Sequence, residues 1–161
     1  MKNLILVRHG KSSWKHNVSD DKRPLKARGQ RDALLVAQQL KLDINTIDKV
    51  YSSHANRALS TCKIFLQVLK VPEKDLEITD KLYDFGGEKV TEFLKKLDDN
   101  QNLIFLFGHN NAFNSISNIF GDQYISHLPT SGLVWLTFDI DSWSELKKGI
   151  TKLTIFPRDL K

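Results

Sequence analysis

Three short stretches carry side chains whose types and settings suit phosphoryl transfer. Arg8-His9-Gly10 follows the apolar run Leu4-Ile5-Leu6-Val7, and Gly108-His109-Asn110-Asn111 follows Leu103-Ile104-Phe105-Leu106-Phe107. Val50-Tyr51-Ser52-Ser53 leads into His54-Ala55-Asn56-Arg57. A neutral imidazole attacks phosphorus and carries the phosphoryl group as a covalent intermediate. Guanidinium groups hold phosphate oxygens through paired, charge-assisted hydrogen bonds. On this reading His9 is the candidate nucleophile, and Arg8 and Arg57 are candidate phosphate ligands. His109 is a further donor, most useful when protonated, a state that a bound phosphate favours. The residues alone leave open which nitrogen of His9 attacks.

These groups are far apart in the chain, so only the surrounding elements can bring them together. Each apolar run reads as a buried strand, and the residues of interest stand at its C-terminal end. In open α/β sheets, ligands bind outside that edge. Further strands are expected at 48–52, 76–79, 133–140 and 152–156, with 141–149 joining the last two as a loop. Helices are expected from Pro24 to Leu42, over 55–70, from Glu88 to Leu97 and over 111–120. Pro24 suits a first helical turn. Ala33, Leu34, Val36, Ala37 and Leu40 form the predicted core-facing stripe of that helix. Strands alternating with helices imply an α/β three-layer sandwich, with a mainly parallel central sheet and helices on both faces.

Composition sets the class. A chain of 161 residues, 40% hydrophobic and 27% charged, fits a single domain spanning 1–161. No apolar stretch approaches the roughly 18 residues of a membrane span. The chain enters its first strand directly, so no signal peptide is expected. The single cysteine, Cys62, excludes an internal disulfide and fits a reducing cytoplasm. Cys62 falls in a helical pattern and is expected in the core. A cysteine phosphatase would need arginine six residues later, where Val68 stands. The net charge of +5 fits an anionic ligand, an acidic protein partner or simply a solvated basic surface. Nucleic-acid binding is not expected, because no motif interleaves basic and aromatic residues. His16 and His127 are expected to face solvent, and His54 to border the site.

In combination and order, these residues resemble the histidine phosphatase superfamily, also called phosphoglycerate mutase-like. They look closest to its small branch, the phosphohistidine phosphatases of SixA type. Arg8-His9-Gly10 corresponds to the family signature. Asp21-Lys22-Arg23-Pro24-Leu25, with Gly29 following, is similar to the small branch's D-x-x-R-P-L-x-x-x-G segment. Ser52-Ser53-His54-Ala55-Asn56-Arg57-Ala58, with Thr61, resembles S-S-P-A-x-R-A-x-x-T. Leu82-Tyr83-Asp84 resembles L-Y-E, Gly108-His109-Asn110-Asn111 resembles G-H-N-P, and Leu128-Pro129-Thr130 a motif before the late strand. The resemblance implies that His9 is phosphorylated, that Arg8, Arg57 and His109 build the phosphate pocket, and that no metal or other cofactor takes part. It makes Asp84 the candidate proton donor, with Asp20, Asp21 and Glu88 as substitutes. Three positions depart from the pattern: His54 and Asn111 replace prolines, and Asp84 replaces a longer glutamate.

Only about twenty residues separate Thr61 from Leu82, which leaves little chain to cover the pocket. An open pocket admits a phosphorylated side chain of another protein, so phosphohistidine in proteins is the expected substrate. A small-molecule phosphomonoesterase of the same fold, or a phosphate-binding domain without turnover, are the alternatives. Asp139-Ile140-Asp141 imitates the D-x-D nucleophile of magnesium-dependent haloacid dehalogenase-like phosphatases. Trp143 stands where that motif needs threonine or valine, so the segment reads better as an acidic turn.

Overall fold

The computed structural model describes residues 1–161. Strands and helices alternate: β1 (Lys2–Arg8), α1 (Ala27–Leu40), β2 (Lys49–Ser52), α2 (Asn56–Leu69), β3 (Leu76–Ile78), α3 (Glu88–Lys95), β4 (Leu103–Gly108) and α4 (Ala112–Phe120). β5 (Leu133–Phe138) and β6 (Ile150–Ile155) complete one six-stranded sheet in the order β3-β2-β4-β1-β5-β6. β3, β2, β4 and β1 run parallel, while β5 and β6 are antiparallel to their neighbours. No helix is long and apolar enough to cross a membrane.

The period-2 alternation of strand side chains divides the core into two layers. Ile5 and Val7 of β1 and Phe105 and Phe107 of β4 pack against Ala33, Val36, Ala37 and Leu40 of α1 and Cys62, Phe65 and Leu66 of α2. Leu4, Leu6, Ile104 and Leu106 face the other way, onto Val90 and Leu94 of α3 and Phe113 and Ile116 of α4. The α/β three-layer sandwich therefore stands as expected, with α1 and α2 on one face and α3 and α4 on the other.

Several boundaries differ from expectation. Pro24 is not in a first helical turn: its carbonyl accepts from the Ser13 amide at 2.8 Å, and α1 starts at Ala27. Ser12 and Leu25 form an antiparallel bridge, so tertiary closure of the preceding loop overrides the proline signal. Leu34 is 42% exposed. The buried set 33, 36, 37 and 40 is an i, i+3, i+4, i+7 stripe, and Leu34 lies one residue, about 100°, off it. Gly29 touches the edge that matters: a side chain there would collide with the Lys11 backbone, which follows His9-Gly10. The 141–149 connection contains a 3-10 turn capped by Ser142, and its Trp143 is fully buried in the core.

Candidate active site

Strand register does most of the assembly. In the β1–β4 pair Arg8 lies opposite Gly108, and the His9 amide donates to the Gly108 carbonyl at 3.0 Å. His9 and His109 thereby leave adjacent strands side by side, with ring centroids 5.4 Å apart. β4 also pairs with β2, so Ser53 follows Ser52 onto the same edge. α2 starts there too and carries Arg57 in its first turn. The Thr61 hydroxyl locks α2 to the nucleophile loop. It donates to the Arg57 carbonyl at 2.8 Å and accepts from the Gly10 amide at 2.9 Å.

His9 is almost wholly buried, and its Nδ1 lies 2.7 Å from the Gly10 carbonyl. A carbonyl oxygen only accepts, so Nδ1 holds the proton and Nε2 keeps the lone pair. Burial, reinforced by Arg57, Arg8 and Arg23, pushes the His9 imidazole down to about 3, despite the opposing Gly10 hydrogen bond. The ring is therefore neutral and nucleophilic near neutral pH. His109 is likewise pushed down to about 3, by burial and then by His9 and Arg57. Its Nε2 meets the Ser53 hydroxyl at 2.9 Å, and Tyr83 and Phe85 pack on its ring. His109 stands beside His9 rather than on the open wall of the cleft.

That cleft, of about 280 Å³, is lined by Arg8 and His9 together with Asp20, Arg23, Arg57 and Phe85 among others. Arg8 donates from Nη1 to the Leu128 carbonyl at 2.8 Å. Arg57 donates from Nη1 to the Asp20 carbonyl at 2.7 Å and from Nη2 to its carboxylate at 2.9 Å. Arg23 reaches the other carboxylate oxygen from Nε at 3.2 Å, and the Tyr83 hydroxyl donates to Asp20 at 2.6 Å. Partial burial alone would raise the Asp20 carboxyl, but Tyr83, Arg57 and Arg23 outweigh it and hold it down to about 2. The chain leaves five buried side-chain polar atoms without a partner: Nε of Arg8, Nη1 of Arg23, Nε of Arg57, Nδ1 of His109 and Oγ of Ser131. All five belong to this one edge. Buried donors are costly unless paired, so their convergence marks a site built for an acceptor-rich anion.

The structure brings Arg8, His9, Arg57 and His109 together and leaves Asp84 out. The Asp84 carboxylate accepts from the backbone amides of Gly86 at 3.2 Å and of Gly87 and Val90 at 3.1 Å. It ties down the start of α3, while its neighbour Phe85 lines the cleft. Of the substitute acids, only Asp20 lies in the cleft, and it is held ionised. Asp21 is bonded to Ser19, and Glu88 is exposed in the first turn of α3. By spacing, the aspartate of the D-x-x-R-P-L segment is Asp20, three residues before Arg23, and not Asp21. That spacing marks Asp20 and Arg23 as a pair, and the two side chains do meet. Trp14, which also lines the cleft, gave no signal, because its place there depends on loop closure. Tyr83 was legible only as part of Leu82-Tyr83-Asp84, not as a hydrogen-bond donor to Asp20. His16 and His127 are exposed, and Cys62 is buried with its thiol pushed up to about 12 by burial. Asp139 and Asp141 lie past the far end of antiparallel β5, at the opposite edge from His9. No three His, Cys, Asp or Glu side chains gather in a group able to hold a metal ion.

A model of the histidine phosphatase superfamily (branch 1) matches residues 4–91. An uncharacterized protein of Mycobacterium tuberculosis (strain H37Rv) is 25% identical over 160 residues, covering 93% of this chain and 98% of its own. A 2,3-bisphosphoglycerate-dependent phosphoglycerate mutase of Bacteroides fragilis is 31% identical over 125 residues, covering 73% of this chain and 50% of its own. The structure of the protein histidine phosphatase SixA complexed with tungstate superimposes with a TM-score of 0.83 at 22% identity, covering 99% of both chains.

Proposed function

The chain belongs to the histidine phosphatase superfamily, branch 1, and on that premise we propose that it hydrolyses phosphohistidine in proteins through a phosphoenzyme intermediate on His9. The observation that carries this reading is the convergence of all five unpaired buried polar atoms around His9. Arg8, Arg23 and Arg57 supply donors to the phosphoryl oxygens, and His109 a further one from Nδ1. The N-termini of α2 and α4 favour the same anion.

Nε2 of His9 attacks phosphorus in line, the bond from phosphorus to the leaving nitrogen breaks, and its electron pair returns to the leaving imidazole, which takes a proton from solvent. Water then attacks the phosphorus on His9 and loses a proton to solvent. The bond to Nε2 breaks, and phosphate departs. The donors are preorganised for the charge that develops on the equatorial oxygens.

The acid side of the cleft supports the choice of substrate. Asp20 is the only carboxylate among its lining residues and is held ionised, while Asp84 is committed to backbone amides. An alkoxide leaving group needs a proton donor whose loss costs roughly 10²–10⁴ in rate. Imidazole leaves with a proton taken from solvent on its other ring nitrogen, so it needs no donor from the enzyme. A phosphohistidine peptide should therefore exceed glycerol phosphate in kcat/KM by roughly 10²-fold or more. His9→Ala should abolish turnover of both, and a rapid quench of the native enzyme should trap an acid-labile, base-stable phosphoenzyme. Label on an acid-stable ester would refute the His9 assignment, and equal specificity constants would refute the substrate.

A further inference from the structure

The segment between β1 and α1 is a loop closed at its base. Ser12 pairs with Leu25, the Ser13 amide donates to the Pro24 carbonyl at 2.8 Å, and the Lys26 amide donates to the Lys11 carbonyl at 2.8 Å. Residues 13–24 project beyond that closure and form one side of the cleft. Closed loops of this kind are frequently functional. This one exposes large apolar side chains at a place where folding gains nothing from them. Trp14 is 75% exposed and Val18 45%, and Phe85, which also lines the cleft, is 45% exposed. Trp14 is nevertheless fixed: the Arg23 guanidinium stacks on its ring at 3.5 Å, and Arg23 is anchored in turn on Asp20. A rigid, exposed aromatic beside a cleft is the usual anchor of a protein interface.

The charge of the same surface selects the partner. Residues 11–26 hold five basic residues against two acidic ones, and Asp20 is already neutralised by Arg57 and Arg23. Lys15 and Lys22 are exposed and make no ion pair. We infer that the 13–24 loop is a docking platform for an acidic protein surface bearing an apolar side chain, which seats on Trp14 and Val18 while its phosphorylated histidine reaches His9. This rests on the phosphohistidine reading and adds to it the chemistry of the protein that carries the group.

The test uses two phosphohistidine peptides of equal length, one with glutamate and leucine flanks and one with lysine and leucine flanks, beside an aryl phosphate. At low salt the acidic peptide should have the higher kcat/KM by about tenfold, through KM, and the preference should shrink as salt screens it. Lys15→Glu combined with Lys22→Glu should abolish the preference. Val18→Asp should weaken the acidic peptide severalfold. Both variants should leave aryl phosphate turnover within about twofold of the native value, since none of the three side chains lines the cleft. Equal specificity for the two peptides, or a preference that survives the double charge reversal, would overturn the platform. If neither peptide is turned over while the aryl phosphate is, the phosphohistidine reading fails. The platform is then decided by binding of the unphosphorylated peptides, read from the fluorescence of exposed Trp14 against buried Trp135 and Trp143. Tighter binding of the acidic peptide supports it. Equal binding, or stronger binding to phosphatidylserine vesicles, overturns it.

Discussion

Replacing Asp84 with alanine should cost stability and leave the chemistry nearly intact. The side chain accepts from three backbone amides, those of Gly86, Gly87 and Val90, at the entry to α3. Removing a helix-capping acceptor costs about 0.5–2 kcal/mol, and losing a negative charge at a helix N-terminus costs a further 0.3–1 or so. The carboxylate is half-buried, so water replaces only part of what is lost. A value of about 2 kcal/mol follows, which for a chain of this size lowers Tm by roughly 4–8 °C. Asp84→Asn keeps one carbonyl acceptor and should fall between. The assay pairs thermal unfolding with kcat/KM for a phosphohistidine peptide, measured well below the lowered Tm. The specificity constant should change by less than about threefold, since no reacting atom is touched. If Asp84 were instead the proton donor, Tm would hold while turnover fell by roughly 10²–10⁴. An unchanged Tm with such a loss would refute the capping argument and restore the acid.

Stability should depend on pH through the two site histidines. Both are pushed to about 3 in the fold, against about 6.5 in the unfolded chain. Below 6.5 the unfolded chain takes up protons that the fold refuses, so stability present at neutral pH is lost as pH falls toward 3, by about 1.4 kcal/mol per pH unit for each histidine. Urea unfolding between pH 7.5 and 5 should show this slope, His109→Ala should reduce it, and a flat profile would contradict the neutral pair. Arg57→Lys keeps a charge but loses the planar fork now spread across Asp20. It should lower kcat by roughly 10²–10³ with a smaller rise in KM, and full activity in Arg57→Ala would remove Arg57 from the pocket.

Local pattern was enough for the elements of this protein. Apolar runs separated by amphipathic helices specify a mainly parallel α/β core, because burial on both faces demands continuous apolar strands. A polar residue at the end of such a strand has nowhere to go but the sheet edge. His9, His109 and the start of α2 with Arg57 were therefore legible as candidates. Pattern was blind to which strands are neighbours. That β4, and not β2, lies beside β1, with Arg8 opposite Gly108, follows from the whole sheet and sets the 5.4 Å between the rings. It was also blind to the partner each polar group finds. Asp84 matched an acid by position in a motif, yet three amides at the start of α3 claim it. Asp20, Arg23 and Trp14 lie in a stretch without periodicity. They acquire their setting only when Ser12 meets Leu25 and α1 starts at Ala27 instead of Pro24. A hydrophobic period is a property of neighbours along the chain, whereas a charge or a hydrogen bond is decided by whatever the fold brings within three ångströms or so.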